Sequence, residues 1–211
     1  MDLFDNSLTR YLEDHADPEN SLLQQINRET HLKETKAHML SGHYQGRILS
    51  LLSKMIGPKR ILEVGTFTGY ATLCLAEGLP ADGIIHTIDI NEELEERVRN
   101  YFEKSPFDKQ IRYHIGNALD VIPTLGETFD LAFIDADKKS NIHYYKMIVE
   151  TMPSGGVILI DNVLWKGKVL QENTDSQTEL ILKLNQEIAS DTRVEKLILP
   201  VRDGLLLVRK R

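Results

Sequence analysis

Residues 129–139 read FDLAFIDADKK, an apolar run that ends in two aspartates one residue apart, followed by two lysines. A strand meant for a core gains nothing from that charge unless the charge is used. Asp161 and Asn162 end another such run, GVILI. Asp135, Asp161 and Asn162 are hard oxygen donors, with no thiolate and no obvious imidazole at the same ends. That set suits Mg2+ or Ca2+ better than zinc, and three protein ligands leave positions open for water or for a substrate with two adjacent oxygens. Spacing alone leaves a second use open, because aspartate and asparagine also cap helices and form turns.

A second group surrounds the loop EVGTFTGYAT, residues 63–72. Gly65 and Gly69 let the backbone turn sharply and approach a ligand at a helix N-terminus. Their spacing is G-x-x-x-G, not the G-x-G-x-x-G of nicotinamide-binding folds. Asp89, at the end of IIHTI, follows the loop at the distance where an acid accepts the hydroxyls of a ribose. Together they point to an adenosine-containing ligand with no pyrophosphate requirement.

Elements that would position these groups are readable from periodicity. The first 57 residues read as helices: SLTRYLEDHA, SLLQQINRETHLKETKAHM and GHYQGRILSLLSKMIG, with Ser7 and Ser21 as expected N-caps and Gly57-Pro58 as a stop. From Arg60 the runs RILEV, GIIHTID, IRYHIG, LAFID and GVILID alternate with helical patterns at YATLCLAEGL, NEELEERVRNYFEK, NALDVIPTL and NIHYYKMIVETM. That alternation predicts an α/β fold, a Rossmann-like doubly wound sheet with right-handed crossovers. VEKLILPV and GLLLVRK, joined through Arg202-Asp203, predict a C-terminal hairpin and hence an antiparallel edge on a mostly parallel sheet. The expected organisation is one domain, residues 1–211, with a helical elaboration at 1–57 and a cofactor- and metal-binding core at 58–211. In such a sheet ligands bind beyond the carboxyl ends of the strands, where Glu63, Asp89, Asn117, Asp135 and Asp161 all fall.

Composition narrows the class. No apolar run in the 211 residues approaches the roughly 20 needed to span a bilayer, and the acidic, interrupted N-terminus does not read as a secretory signal. A single cysteine, Cys74, lies in an apolar helical pattern, which predicts a core residue in a reducing, cytoplasmic setting. A net charge of −7 weighs against a dedicated nucleic-acid binder. His31, His38, His43, His86, His114 and His143 show no metal-ligand spacing.

These motifs, taken together, resemble the metal-dependent class I S-adenosylmethionine O-methyltransferases, the catechol and caffeoyl-CoA group. The resemblance runs from about Leu40 to Arg211. It is carried by ILEVGTFTGYATLCLA, HTIDIN, FDLAFIDADK, GGVILIDNVLWKG and LPVRDGLLLVRKR. It implies S-adenosyl-L-methionine as donor and Mg2+ (Ca2+ or Mn2+ as substitutes) held by Asp135, Asp161 and Asn162. Glu63, Gly65 and Tyr70 would border the methionine part of the donor, Asp89 the ribose, and Asn117 and Ala118 the adenine. Met39 and Ser41 would stand near the entrance, with Asp137 and Tyr144 towards the donor's amino-acid portion. Lys138 corresponds to the lysine treated as general base, and Trp165 would help to wall the acceptor ring.

A neutral phenol is a poor nucleophile at pH 7, since its pKa is about 10. Methylating one therefore calls for a base and for positive charge beside the oxygen. The implied function is methylation of one hydroxyl of a catechol-type small molecule, by a protein whose relatives are commonly homodimers. Two other functions fit the same motifs: methylation of a hydroxylated wobble uridine in tRNA, and a non-catalytic cofactor-binding scaffold. A basic patch at Lys138, Lys139, Lys166 and Lys168 would favour the tRNA reading. Lys139 is expected at the surface. Asn141 replaces an aromatic of the plant branch, which argues against a bulky CoA ester. Arg202 stands where many relatives have glycine, so the rim of the site should differ in charge.

Overall fold

The computed structural model describes residues 6–211. The reading of the extreme N-terminus at 1–5 lies outside them. Seven strands form one sheet in the order β3-β2-β1-β4-β5-β7-β6. They are β1 (Arg60–Val64), β2 (Ile84–Asp89), β3 (Ile111–Ile115), β4 (Leu131–Ile134), β5 (Val157–Asp161), β6 (Val194–Leu199) and β7 (Leu205–Lys210). The first five pair in parallel, and β7 pairs antiparallel with both β5 and β6. The order reverses beside β1, which places β1 and β4 at the switch point where a crevice opens. The C-terminal hairpin is present, but β7 is inserted inside the sheet and β6 forms the edge.

Alternation along the strands divides the core into two layers. Ile61, Ile85, Leu131, Phe133, Leu159 and Leu205 pack on one face with helices α2 (Ser21–Lys33), α3 (Gly42–Ile56), α4 (Tyr70–Ala76) and α5 (Glu95–Glu103). Leu62, Ile88, Ala132, Ile134, Ile158, Ile160 and Leu206 pack on the other with α6 (Ala118–Leu125), α7 (Asn141–Thr151) and α8 (Ser176–Ser190). Strands covered on both faces read as continuous apolar runs, which is why LAFI and VILI carry no polar alternation. Cys74 is fully buried in the first layer, as its pattern predicts, and burial pushes its thiol up to about 12.

Several boundaries differ from the sequence reading, each for a local reason. Asn20, not Ser21, caps α2, its side chain accepting from the Leu23 amide at 2.9 Å. Ser7 lies inside the first helix, α1 (Asn6–Asp14), instead of at its cap. The second helix stops at Lys33 because Glu34 is extended, and a separate 3-10 turn covers Ala37–Met39. Helix α8 has no counterpart among the predicted elements. Its signals were present, in Asp175 as a cap accepting from the Thr178 amide and in buried Thr178, Ile181, Leu184 and Ile188 at three- and four-residue spacings.

Helix α3 is fastened to the C-terminal end of α4 by ionic contacts. Arg47 of α3 meets Glu77 at 2.8 Å with both side chains largely buried, and Lys54 and Ser50 reach the same carboxylate. Burial alone would raise that carboxyl; the hydrogen bonds from Arg47, Lys54 and Ser50 outweigh it and hold Glu77 at about 2. The loop after β1 depends on a glycine. Gly65 has φ 104°, and a Cβ there would lie 2.1 Å from the Asp135 carbonyl oxygen. Only a glycine lets the β1 loop pass against the end of β4.

On the far face, His86 and His114 stack, with Nδ1 of one 3.0 Å from Nε2 of the other. Burial lowers the pKa of both imidazoles, although Glu127 beside His86 opposes the effect there.

Gly65→Ala should cost roughly 3 kcal/mol, from steric overlap and a strained φ, read as a lower denaturation midpoint. An unchanged midpoint would mean the loop can retreat from Asp135. The histidine pair carries a pH dependence. Both groups bind protons more weakly in the fold than when unfolded, so stability falls as pH drops below about 6.5. Urea unfolding at pH 5 and pH 7.5 should show this loss, and the double variant His86→Leu/His114→Leu should lessen it.

Candidate active site

At the carboxyl ends of β1 and β4, a narrow cleft is lined by Met39, Leu40, Ser41, Gly65, Thr66, Phe67, Thr68, Tyr70, Ala71 and Asp135. Four of the expected donor-site residues, Met39, Ser41, Gly65 and Tyr70, thus share one recess with Asp135, although they come from separate parts of the chain. Gly69, with φ 79°, precedes α4 and packs against Phe102, whose ring a Cβ would strike at 2.6 Å. Tyr70 is almost fully buried, and its hydroxyl donates to Glu19 at 2.6 Å, joining the cleft to the segment before α2.

Glu63 lies behind this loop and does not line the cleft. It is fully buried, accepts from Thr72 and, at 2.6 Å, from Thr87, and leaves Oε1 without a partner. Burial pushes its carboxyl up to about 8 against the pull of those hydroxyls, and the charges of Asp135 and Asp89 add to the rise. Asp89 is half-buried. One of its oxygens accepts from the Phe67 amide at 2.6 Å and the other from the Asn91 amide at 2.9 Å. Each oxygen keeps lone-pair capacity for a further donor, as a ribose diol requires. Asn117 caps α6 by accepting from the Leu119 amide, and Ala118 is buried beside it. Asp137 is exposed in the turn before α7, where Oδ1 accepts from the Ser140 amide and Oδ2 lies 3.4 Å from the Tyr144 hydroxyl.

The oxygen donors meet at the ends of β4 and β5. Lys138 Nζ donates to Asn162 Oδ1 at 2.8 Å and stands 3.7 Å from Asp135 Oδ1. Asn162 takes a left-handed φ of 62°, which asparagine tolerates better than most residues, and its amide donates to Asp161 Oδ1 at 2.7 Å. Asp161 Oδ2 accepts from the buried Gln45 amide at 2.8 Å. Asp135 keeps 21% of its side chain exposed and Lys138 only 10%. Burial, then the charge of Asp161, pushes the Asp135 carboxyl up to about 7, while Lys138 and Arg202 pull against the shift. Burial likewise raises Asp161, against the hydrogen bonds from Gln45 and from the Asn162 amide. Two carboxyls that resist ionising together, with an amide oxygen beside them, are what a hard divalent cation would relieve. No cluster of three His, Cys, Asp or Glu residues among the described ones is arranged for a metal; this group has two acids, and its third oxygen comes from Asn162.

Trp165 is half-buried at the start of a 3-10 segment, Trp165–Leu170, with φ 47°. The segment is held by backbone bonds from Val163 to Gly204 and from Leu164 to Asp203, and by the Lys166 amide on the Asp203 carboxylate. Other side chains singled out from the sequence find their surroundings here. Asn141 is buried in the first turn of α7. Lys168 pairs with Asp175 at 2.8 Å and Lys138 is turned inward, while Lys139 and Lys166 are exposed. Arg202 is exposed, and its guanidinium contacts run to Gln45 and to the backbone carbonyls of His38, Leu40 and Ser41. Gln45 itself was not singled out from the sequence. A glutamine in GHYQG carries no sign that it meets an aspartate 116 residues away.

Comparison with known proteins agrees with this geometry. A family profile described as O-methyltransferase matches residues 13–211. Caffeoyl-CoA O-methyltransferase 5 of Nicotiana tabacum is 35% identical over 196 residues, covering 87% of this chain and 82% of its own. Among solved structures, the O-methyltransferase from Bacillus cereus in complex with SAH is 29% identical, with a TM-score of 0.89 and 97% of both chains covered. The O-methyltransferase TomG from Streptomyces achromogenes, in complex with SAM, is 26% identical with a TM-score of 0.89, covering 97% of this chain and 96% of its own. With the seven-stranded sheet, the glycine loop and the strand-end acids in their expected places, the chain belongs to the O-methyltransferase family.

Proposed function

We propose that this protein transfers the methyl group of S-adenosyl-L-methionine to one hydroxyl of an aromatic ring bearing two adjacent hydroxyls, with a divalent cation, Mg2+ first among candidates, at Asp135, Asp161 and Asn162. The observation that carries this reading is the contact set at the ends of β4 and β5. There Lys138, Asn162, Asp135 and Asp161 converge beside the cleft that Gly65 opens. Relatives that bind SAM or SAH, and relatives named for a caffeoyl ester, support the donor and the dihydroxyphenyl acceptor class.

The donor's sulfonium already activates its methyl group, so the chain's task is placement and electrostatics. Asp89 holds the ribose, Asn117 and Ala118 border the adenine, and Gly65 allows close approach of the donor's methionine part. Glu63 supports the loop from behind through its bonds to Thr72 and Thr87, and Tyr70, Met39 and Ser41 close the recess. Asp137 and Tyr144 orient the donor's amino-acid end. The cation would favour the ionised oxygen of the acceptor by its positive charge. Lys138 would be favoured as the neutral amine by a bound cation's positive charge, and its Nζ then takes the proton released from the acceptor hydroxyl. The methyl moves in line from sulfur to that oxygen, and S-adenosylhomocysteine leaves as the neutral thioether. Trp165 lies against the ring and excludes water. Assembly as a homodimer and a cytoplasmic location belong to the same proposal. Among the described residues no helix is long and apolar enough to cross a membrane.

Incubation with labelled S-adenosylmethionine and a panel of catechols, with and without chelator, tests the reading. Label should enter the catechols, stop after metal removal and return with Mg2+; transfer that ignores the chelator contradicts the proposed site. Lys138→Met should lower kcat by roughly 10² to 10⁴ and leave donor affinity within a few-fold of the parent. Asp161→Ala should abolish turnover and spare donor binding. Hydroxylated tRNA labelled in the same assay, with catechols untouched, would transfer the activity to the wobble uridine.

A further inference from the structure

The turn joining β6 to β7 reaches back to the N-terminal wall of the cleft. Arg202 occupies that turn with φ 47°, a conformation glycine takes at little cost and arginine does not. Its Nη1 donates to the Leu40 carbonyl at 2.8 Å, to the Ser41 carbonyl, and to Gln45 Oε1 at 2.9 Å; Nη2 donates to the His38 carbonyl at 3.3 Å. Leu40 and Ser41 line the cleft beside Asp135. Gln45 is buried, and its amide nitrogen donates to Asp161 Oδ2 at 2.8 Å. A guanidinium has only donors, so its bond to Oε1 fixes which way the Gln45 amide points. The NH2 group must then face the carboxylate. Asp161 is left oriented from both sides, by Gln45 at Oδ2 and by the Asn162 amide at Oδ1.

We propose that Arg202 is a positioning residue that fastens the wall at residues 38–41 and, through Gln45, sets the orientation of the Asp161 carboxylate for its cation. The metal half of this inference rests on the metal-assisted reading above; the fastening of the wall does not. One side chain thereby couples the shape of the cleft entrance to the geometry of the ligand at its floor. Lysine cannot replace it, because a single ammonium lacks the planar fork that serves several acceptors at once.

Two readouts on the full chain test the proposal: calorimetric titration with Mg2+ and hydrogen exchange at the amides of residues 37–41. Arg202→Gly relieves the unusual φ and should fold. It should bind Mg2+ roughly ten-fold more weakly, the usual scale for losing an outer contact to a ligand, and exchange faster at 37–41. Arg202→Lys should resemble it. Gln45→Met, which keeps the arginine's bonds to the carbonyls, should show the same loss of Mg2+ affinity with exchange at 37–41 unchanged. Parent-like Mg2+ affinity in either Arg202→Gly or Gln45→Met overturns the relay to Asp161. If the parent chain binds no Mg2+, the metal-assisted reading fails by itself. Exchange at 37–41 in Arg202→Gly then decides the remaining claim: faster exchange upholds the fastened wall, and unchanged exchange overturns it.

Discussion

Two carboxylates at the ends of neighbouring strands, Asp135 on β4 and Asp161 on β5, repel each other where little water can screen them, and the rest of the site answers that repulsion. Lys138 approaches Asp135 at 3.7 Å and binds Asn162. Gln45 and the Asn162 amide occupy one side of each Asp161 oxygen. Even so, Asp135 stays well above the ordinary carboxylate range, at about 7. A protein keeps such a costly pair where the acids have work to do. The sheet makes the pair possible, because β4 and β5 run parallel in register and deliver their last residues to the same edge.

The same edge carries the glycine loop and Asp89. Gly65 gives way to the Asp135 carbonyl, so the cleft wall and the acid pair are built against one backbone contact. Asp89 is pinned by the Phe67 and Asn91 amides, which ties the acid proposed for the ribose to the glycine loop. The two halves of the site are therefore mechanically continuous: the glycine loop touches the strand end that carries Asp135. Residues 38–41 complete the enclosure from the N-terminal side.

Much of this was legible in the sequence because strand ends and glycine loops are local signals. RILEV, LAFI and VILI emerged as strands with almost their predicted bounds, since buried parallel strands read as unbroken apolar runs. Helix α8 went unread although Asp175 and the spacing of Ile181, Leu184 and Ile188 announced it; polar residues between them blur the stripe. Long-range partners were beyond reach. Nothing local in Gln45 points to Asp161, and nothing local in Arg202 points to Gln45. The partners of Lys138 and Lys168, distant in the chain or across a turn, were out of reach for the same reason.

The central claim is that the Asp135, Asp161 and Asn162 oxygens form a cation site and that Lys138 stands in for part of its charge. Anomalous diffraction from crystals grown with Mn2+ tests it most directly. The account predicts a peak bonded to all three side chains, with Lys138 Nζ moved off Asn162. A map with no peak there, or a metal bound elsewhere with the Lys138 to Asn162 contact intact, would contradict it.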